Sequence, residues 1–258
     1  QEEQNKKLFQ VKDTPVQSLL LHDATGRTFA FKCSDLEAKL CKPGDNSKWE
    51  MEQPSKLKAD DANVNALLSA LNNLNINETI DLKDETPEKR AALIKEYGLD
   101  PASLALPSAK RIDVQTPSGR TILHLGLNHP IGESIFGIAS GADGKPDDSK
   151  IYLVPTFFKA NFEHDLTYWR DKKLMTVAAH EIEGFKLSGA KAKLSGERKD
   201  GLWTLNNEVS GDIENIDNVL TAASYLSAKD FVSNSKTDAK AKSVLQGAKP
   251  VLTLTLQK

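Results

Sequence analysis

The feature that most constrains this chain is a pattern that occurs twice. A strand-like KWEME around Trp49 is followed by a polar linker and a stretch with apolar residues at Val64, Leu67, Leu68, Leu71 and Leu74. Further on, LWTL at Leu202–Leu205 leads to Ile216, Val219, Leu220, Ala223 and Leu226. The second apolar set is the first shifted by 152 positions, and Asp60 shifts onto Asp212 in the same way. Steps of three and four place these residues on one helix face, with the aspartates at the N-cap. Such a repeat fixes architecture and is silent on chemistry.

The repeat extends to both sides. Val16–His22 and Thr28–Cys33 read as a hairpin turned at Asp23–Gly26. Its counterpart carries Ile182, Phe185 and Leu187, then Ala192 and Leu194, turned at Ser188–Gly189. From Leu21 to Trp49 is 28 positions and from Leu187 to Trp203 only 16, so the first copy holds 12 extra residues, among them Cys33 to Pro43. Each long helix is followed by a short strand (Glu78–Leu82; Asp230–Ser233) and a shorter helix (Pro87–Tyr97; Thr237–Gln246). Thr86 and Pro87 suit a cap and a first helical turn. Gly98 and Gly247 end the short helices through a left-handed residue, and Pro101 and Pro250, three positions on, stop them resuming. Between the copies, Arg111–Gln115, Thr121–Leu125, Ser134–Ala139 and Lys150–Val154 read as an antiparallel meander, followed by a short helix at Thr156–His164. A last strand is expected at Val251–Leu256.

The expected class is therefore α+β: a duplicated unit of antiparallel hairpin or meander plus a long amphipathic helix and a short one, in two closely packed lobes. The expected divisions are a flexible N-terminal segment at 1–14 left after a removed anchor, a first unit at 15–108, a meander with a short helix at 109–178, and a second unit at 179–258, possibly truncated. With 258 residues the chain can bury a substantial core. A net charge of −2 with no basic stripe argues against a nucleic-acid partner. No window holds 18 consecutive apolar residues, so nothing in the sequence reads as a membrane-spanning helix.

Taken in order, several of these pieces carry a resemblance. They are Leu8–Phe9, Trp49–Met51, the YGLDP run at Tyr97–Pro101, Leu123–Gly126, Ser134–Ala139 and Arg170–Leu174 within WRDKKL. The chain resembles the bacterial family known as domain of unknown function 4340 over nearly its whole length, with YGLDP and WRDKKL the most telling stretches. The resemblance implies a periplasmic or other extracytoplasmic location and a tether to the inner membrane by an N-terminal helix that this chain lacks. It also implies association with membrane proteins of ABC-transporter type, of the kind found in gliding-motility gene neighbourhoods. It carries no catalytic residues onto this sequence.

Candidate chemistry is sparse. His180-Glu-Ile-Glu183 begins like a zinc-protease helix, but position 184 is Gly where a second His is required, and the segment enters a strand. Asp143, Asp147 and Asp148 sit in a Gly-rich loop whose spacing breaks the EF-hand pattern at Lys145 and Val154, which favours a solvated hairpin tip over calcium. His129, Glu133 and Ser134 lie close in sequence without the G-x-S-x-G context of a nucleophile elbow. His124 alternates with apolar neighbours on a strand. Lys186, Lys191, Lys193, Arg198 and Lys199 read as a charged outer face. No phosphate-cradling glycine loop occurs.

Catalytic, cofactor and metal residues are thus expected to be none, and the reading is a non-enzymatic binding or scaffold module of a transport or envelope complex. The alternatives are an envelope-polymer hydrolase, which needs two of His124, His129, His164 and His180 with a carboxylate in one cleft, and a soluble sugar or peptide binder. Cys33 and Cys41, with seven residues between them, are expected to form a disulfide in an exported protein, stapling the inserted loop.

Overall fold

In a computed structural model, which describes residues 7–9, 11, 14–34, 41–43, 46–175, 177–189, 193–206, 209–210, 213–233, 237–246 and 252–257, alternation in the first hairpin becomes β1 (Ser18–His22) and β2 (Thr28–Cys33). Leu19, Leu21, Phe29 and Phe31 face inward at every second position. The turn is held by buried Asp23, whose carboxylate accepts from the Thr25 and Arg27 amides and pairs with the Arg27 guanidinium at 2.6 Å. Next come β3 (Trp49–Gln53), the two-residue β4 (Leu57–Lys58) and α1 (Asp61–Asn72). The Asp60 side chain caps α1 by accepting from the Asn63 amide.

β5 (Glu78–Asp81) precedes α2 (Pro87–Glu96), which starts at a Thr86 cap with proline at its first position. Gly98 ends α2 at φ +69, the left-handed conformation the sequence called for. The one-turn α3 (Pro101–Leu104), capped by Asp100, was not expected. The meander forms as β6 (Lys110–Thr116), β7 (Gly119–Asn128), β8 (Ser134–Ser140) and β9 (Lys150–Pro155). A 3₁₀ turn at Thr156–Phe162 and α4 (Leu166–Trp169) follow.

These strands make one antiparallel sheet ordered β4-β3-β2-β1-β6-β7-β8-β9-β5. β1 pairs with β6 along its whole length, so the meander belongs to the same sheet as the first hairpin, and the boundary expected at 108/109 has no counterpart. The sheet buries both faces. On one, Leu19, Ile112, Val114, Leu123 and Leu125 share a core with α1, Phe158, Phe162 and Trp169. On the other, Phe136, Ile138, Ile151 and Leu153 pack with Ile94 of α2 and Leu99.

The chain divides after Asp171 into two compact units. The second holds β10 (Gly184–Gly189), β11 (Lys193–Lys199), β12 (Leu202–Leu205), β13 (Val209–Ser210), α5 (Ile213–Ser224), α6 (Ala239–Leu245) and β14 (Leu252–Gln257). Its sheet runs β13-β12-β11-β10-β14, which repeats the order β4-β3-β2-β1-β6 of the first unit. α1 and α5 each hold 12 residues, again 152 positions apart.

Two expectations are corrected in the second unit. No strand forms at Asp230–Ser233, where the chain carries a single bend at Val232. Ser188 and Gly189 are strand, paired with Lys193 and Leu252, so the turn falls beyond them at 190–192, outside the described residues. The readings placed on Lys191, Ala192, Asp212, Gly247 and Pro250 likewise fall outside them. At the other end, Phe9 and Val11 are buried in the main core although 1–14 was expected to be flexible.

Candidate functional site

The alternation of β6 places Arg111, Asp113 and Gln115 on one face, and the antiparallel register sets them opposite His124, Ile122 and Arg120 of β7. β1 and β8 extend these rows to His22 and Ile138, and to Leu20 and Ser140. Charged and polar residues thus run across a sheet face that also carries Leu20, Ile122 and Ile138. Asp113 is buried and forms a short ion pair with the guanidinium of Arg120. His124 is 8% exposed, and neither ring nitrogen has a hydrogen-bond partner in the protein. Burial holds its pKa below the usual histidine range; Arg111 and Arg120 push the same way and Asp113 opposes them. One Asp113 oxygen, the Ser140 hydroxyl and Arg111 Nε are also buried and without a protein partner. Chemically, this row holds a neutral imidazole beside two guanidiniums and one carboxylate. Its sequence trace is the charged pair Arg111 and Asp113 alternating with Ile112 and Val114, which no motif marks.

A second region lies at the β7–β8 end. Leu127, Ile131 and Phe157 are 58%, 80% and 65% exposed. They are brought to one end of the sheet because β7 turns into β8 through residues 129–133, while the Thr156 amide donates to the Glu133 carbonyl at 3.0 Å. The rings of Tyr97 and Phe136 stack at 4.0 Å, with His129 tilted against Phe136 at 5.2 Å. Large exposed apolar side chains at one end of a sheet are the kind of feature that marks an interaction surface.

The other sequence candidates are scattered. The Ser134 hydroxyl accepts from the Asn77 side-chain amide at 2.8 Å, and the His129 amide donates to the Ser134 carbonyl at 2.9 Å. His164 stacks on Tyr168 at 3.6 Å, and His180 lies on a short 3₁₀ turn of the second unit. Of the four histidines, only His124 stands close to a buried carboxylate. In the 143–148 loop, Asp143 and Asp147 accept from the Lys145 and Ser149 amides and Asp148 pairs with Arg90 at 3.5 Å. Among the described residues no three His, Cys, Asp or Glu side chains group as metal ligands. Arg198 lies over the Trp203 ring at 5.9 Å, so this member of the basic run is half-buried rather than free on an outer face.

Cys33 and Cys41 form a disulfide with Cα atoms 5.8 Å apart. Both are buried in the main core, and the Val16 and Cys41 backbones bond each other twice. The link therefore ties the end of the inserted loop into the core, where the expectation was a staple confined to the loop.

The WRDKKL stretch has a positional role. The Trp169 carbonyl accepts from the Asp60 amide, Asp171 pairs with Lys58 at 2.8 Å, and Arg170 bridges Ala59. The lysines and leucine that follow open the second unit. Lys173 bridges Ser227 there as Lys7 bridges Asn75 in the first, the partners being 152 positions apart. The sequence signal for this was present and unread: K-K-L-F-Q-V from Lys6 and K-K-L-M-T-V from Lys172. Val11 and Val177 each pack with the core of their own unit.

A family model described as a domain of unknown function (DUF4340) matches residues 49–246. No curated protein and no solved structure matches the chain. No helix among the described residues is long and apolar enough to cross a membrane.

Proposed function

We infer that this chain, which belongs to the DUF4340 family, is a non-enzymatic extracytoplasmic module that binds membrane-protein subunits of a transport or envelope complex. The observation that carries the reading is the exposure of three large apolar side chains at one end of the sheet: Leu127 at the end of β7, Ile131 in the connection to β8 and Phe157 in the 3₁₀ turn after β9. Burying such side chains against a partner contributes roughly 1.5–3 kcal/mol each before the costs of association. The Cys33–Cys41 disulfide supports an oxidising compartment. In the intact protein a membrane tether would hold the module beside its partners, and ABC-transporter-type subunits are the partners proposed.

Photo-crosslinking residues placed at Ile131 and Phe157 in cells test the reading. Capture of an envelope membrane protein, lost when Leu127 is changed to Ser in the same chain, is expected. Turnover by the purified protein in a broad hydrolase panel, abolished by a single substitution, would instead establish an enzyme.

A further inference from the structure

Five buried polar atoms on the Arg111–His124 face of the first sheet have no partner in the protein: Arg111 Nε, one Asp113 oxygen, both His124 ring nitrogens and the Ser140 hydroxyl. A sixth, Arg90 Nε, belongs to α2, whose Ile94 packs on this face with Ile138. Arg90 precedes Ile94 by one turn and so lies on the same side of the helix. Only two other side-chain atoms among the described residues are in this condition, Asn72 Oδ1 and the Trp169 indole nitrogen. Buried polar groups in native proteins are otherwise paired, so a gathering of six on one sheet face is a set of donors and acceptors that a bound molecule would satisfy. Asp113, His124 and Ser140 are 5%, 8% and 3% exposed, while the Arg120 side chain, at 39%, connects the row to solvent.

The register sets Arg111 opposite His124 and places Ile122 between Asp113 and Ser140, so these side chains come from three adjacent strands. Their chemistry is lopsided. The Nε groups of Arg90 and Arg111 can only donate, the Ser140 hydroxyl can donate, and a neutral imidazole donates from one nitrogen and accepts at the other. The free Asp113 oxygen can only accept. Arg120 is neutralised by Asp113 and Arg90 by Asp148, while no carboxylate pairs with Arg111 among the described residues. The row thus offers more donors than acceptors and carries one uncompensated positive charge. That set fits an anion with acceptor oxygens in several directions and one hydroxyl to give to Asp113. A planar carboxylate meets a single guanidinium edge on, whereas a tetrahedral oxyanion presents oxygens to three strands and a helix at once.

We propose that this row binds a protonated tetrahedral oxyanion: the phosphoryl group of inorganic phosphate or of a phosphomonoester. Arg111, His124 and Ser140 donate to its oxygens, Arg90 approaches from α2, and the free Asp113 oxygen accepts from the P–OH group. Arg120 holds the other Asp113 oxygen and so fixes the orientation of the carboxylate. Sulfate has the same shape and no hydrogen to give, so the acceptor at Asp113 selects phosphate against it.

Isothermal titration calorimetry of the full chain at about pH 6, near the second pKa of a phosphomonoester, tests this with inorganic phosphate, glycerol 3-phosphate and sulfate. A single class of phosphate site is expected, with sulfate weaker by about tenfold for the hydrogen bond it cannot make. Binding of glycerol 3-phosphate as well would assign the site to a phosphomonoester, and binding of inorganic phosphate alone to the free ion. Arg111→Gln is expected to weaken phosphate by about tenfold or more while keeping the circular dichroism of the parent. Asp113→Asn sets an amide N–H where the free oxygen stands, so it is expected to bring sulfate level with phosphate. In NMR spectra the His124 ring signals, identified by their loss in His124→Gln, are expected to shift when phosphate is added. Should a variant fail to fold, the sulfate comparison and the His124 signals of the parent still decide. Binding of neither phosphate nor the monoester overturns the proposal. So does sulfate that binds the parent as tightly as phosphate, an Arg111→Gln variant that binds like the parent, or His124 signals that stay in place.

Discussion

His124 shows how one residue can make the fold sensitive to pH. Its ring is buried without a partner, and its pKa is held below the ordinary value by burial first and by Arg111 second. A histidine depressed in the folded state charges more readily when unfolded. Its contribution is therefore intact above the unfolded pKa of about 6.5 and is lost as pH falls below it. Thermal unfolding temperature should drop between about pH 6.5 and 5, and His124→Gln should flatten that drop relative to the parent chain. An unchanged profile would show that the buried imidazole is not the group responsible. The cysteines make a second case at this scale. Closing so short a loop contributes about 2–3 kcal/mol in the chain-entropy model. Because both side chains are buried in the core, Cys33→Ala/Cys41→Ala should cost more than that, whereas reduction alone should cost about the loop term. Chemical denaturation of the three forms checks the order, and thiol titration of the non-reduced protein should find no free cysteine.

At the scale of the element, the join between Trp strand and long helix is what both units build. The Trp49 indole N–H donates to the Asn65 side chain at 2.8 Å, and Trp203 donates to Asp217 at 3.2 Å, the two acceptors again 152 positions apart. In the first unit Asp61 also accepts from the Trp49 amide, and Asn65 donates on to the Ser47 carbonyl. Trp49→Ala should cost roughly 3–5 kcal/mol through the cavity it leaves, and Trp49→Phe should cost less while still stranding Asn65. Urea unfolding followed by far-UV circular dichroism separates the two. Another element-level constraint is Gly126 of β7, where an added Cβ would lie 2.3 Å from the Tyr97 carbonyl. That oxygen accepts from the Leu127 amide, so backbone would have to move. Gly126→Ala should therefore destabilise by about 1–3 kcal/mol, as overpacking does.

For the whole molecule, the division after Asp171 gives each unit its own buried cluster, with Trp169 in one and Trp203 in the other. Trp203 sits against Phe185 at 5.5 Å and within a core of Ile182, Ile216 and Leu220. Trp203→Ala should therefore open amides within 172–258 while those of β6 and β7 stay protected, as hydrogen exchange with mass spectrometry would report. Uniform loss of protection across the chain would mean that the two clusters unfold as one.

The sequence alone determined most of the elements and their pairing by neighbours, the strand at Asp230–Ser233 and the turn at Ser188–Gly189 excepted. Alternation and the three-four step are local consequences of backbone geometry, and turn and cap residues such as Asp23, Asp60, Thr86 and Gly98 act within a few positions of themselves. The repeat and the family were readable for the same reason, because both are patterns along the chain. What needed tertiary structure was every relation between distant segments. Only the sheet register set Arg111 opposite His124 and left that imidazole without a partner. β1 joining β6 made the meander part of the first sheet, and the bridge from Cys41 to Val16 drew a loop disulfide into the core. Strand pairing is a non-local choice, decided by which apolar faces can be buried together. Hence the candidate sites emerged from the sheet while their scaffold could be read from the chain.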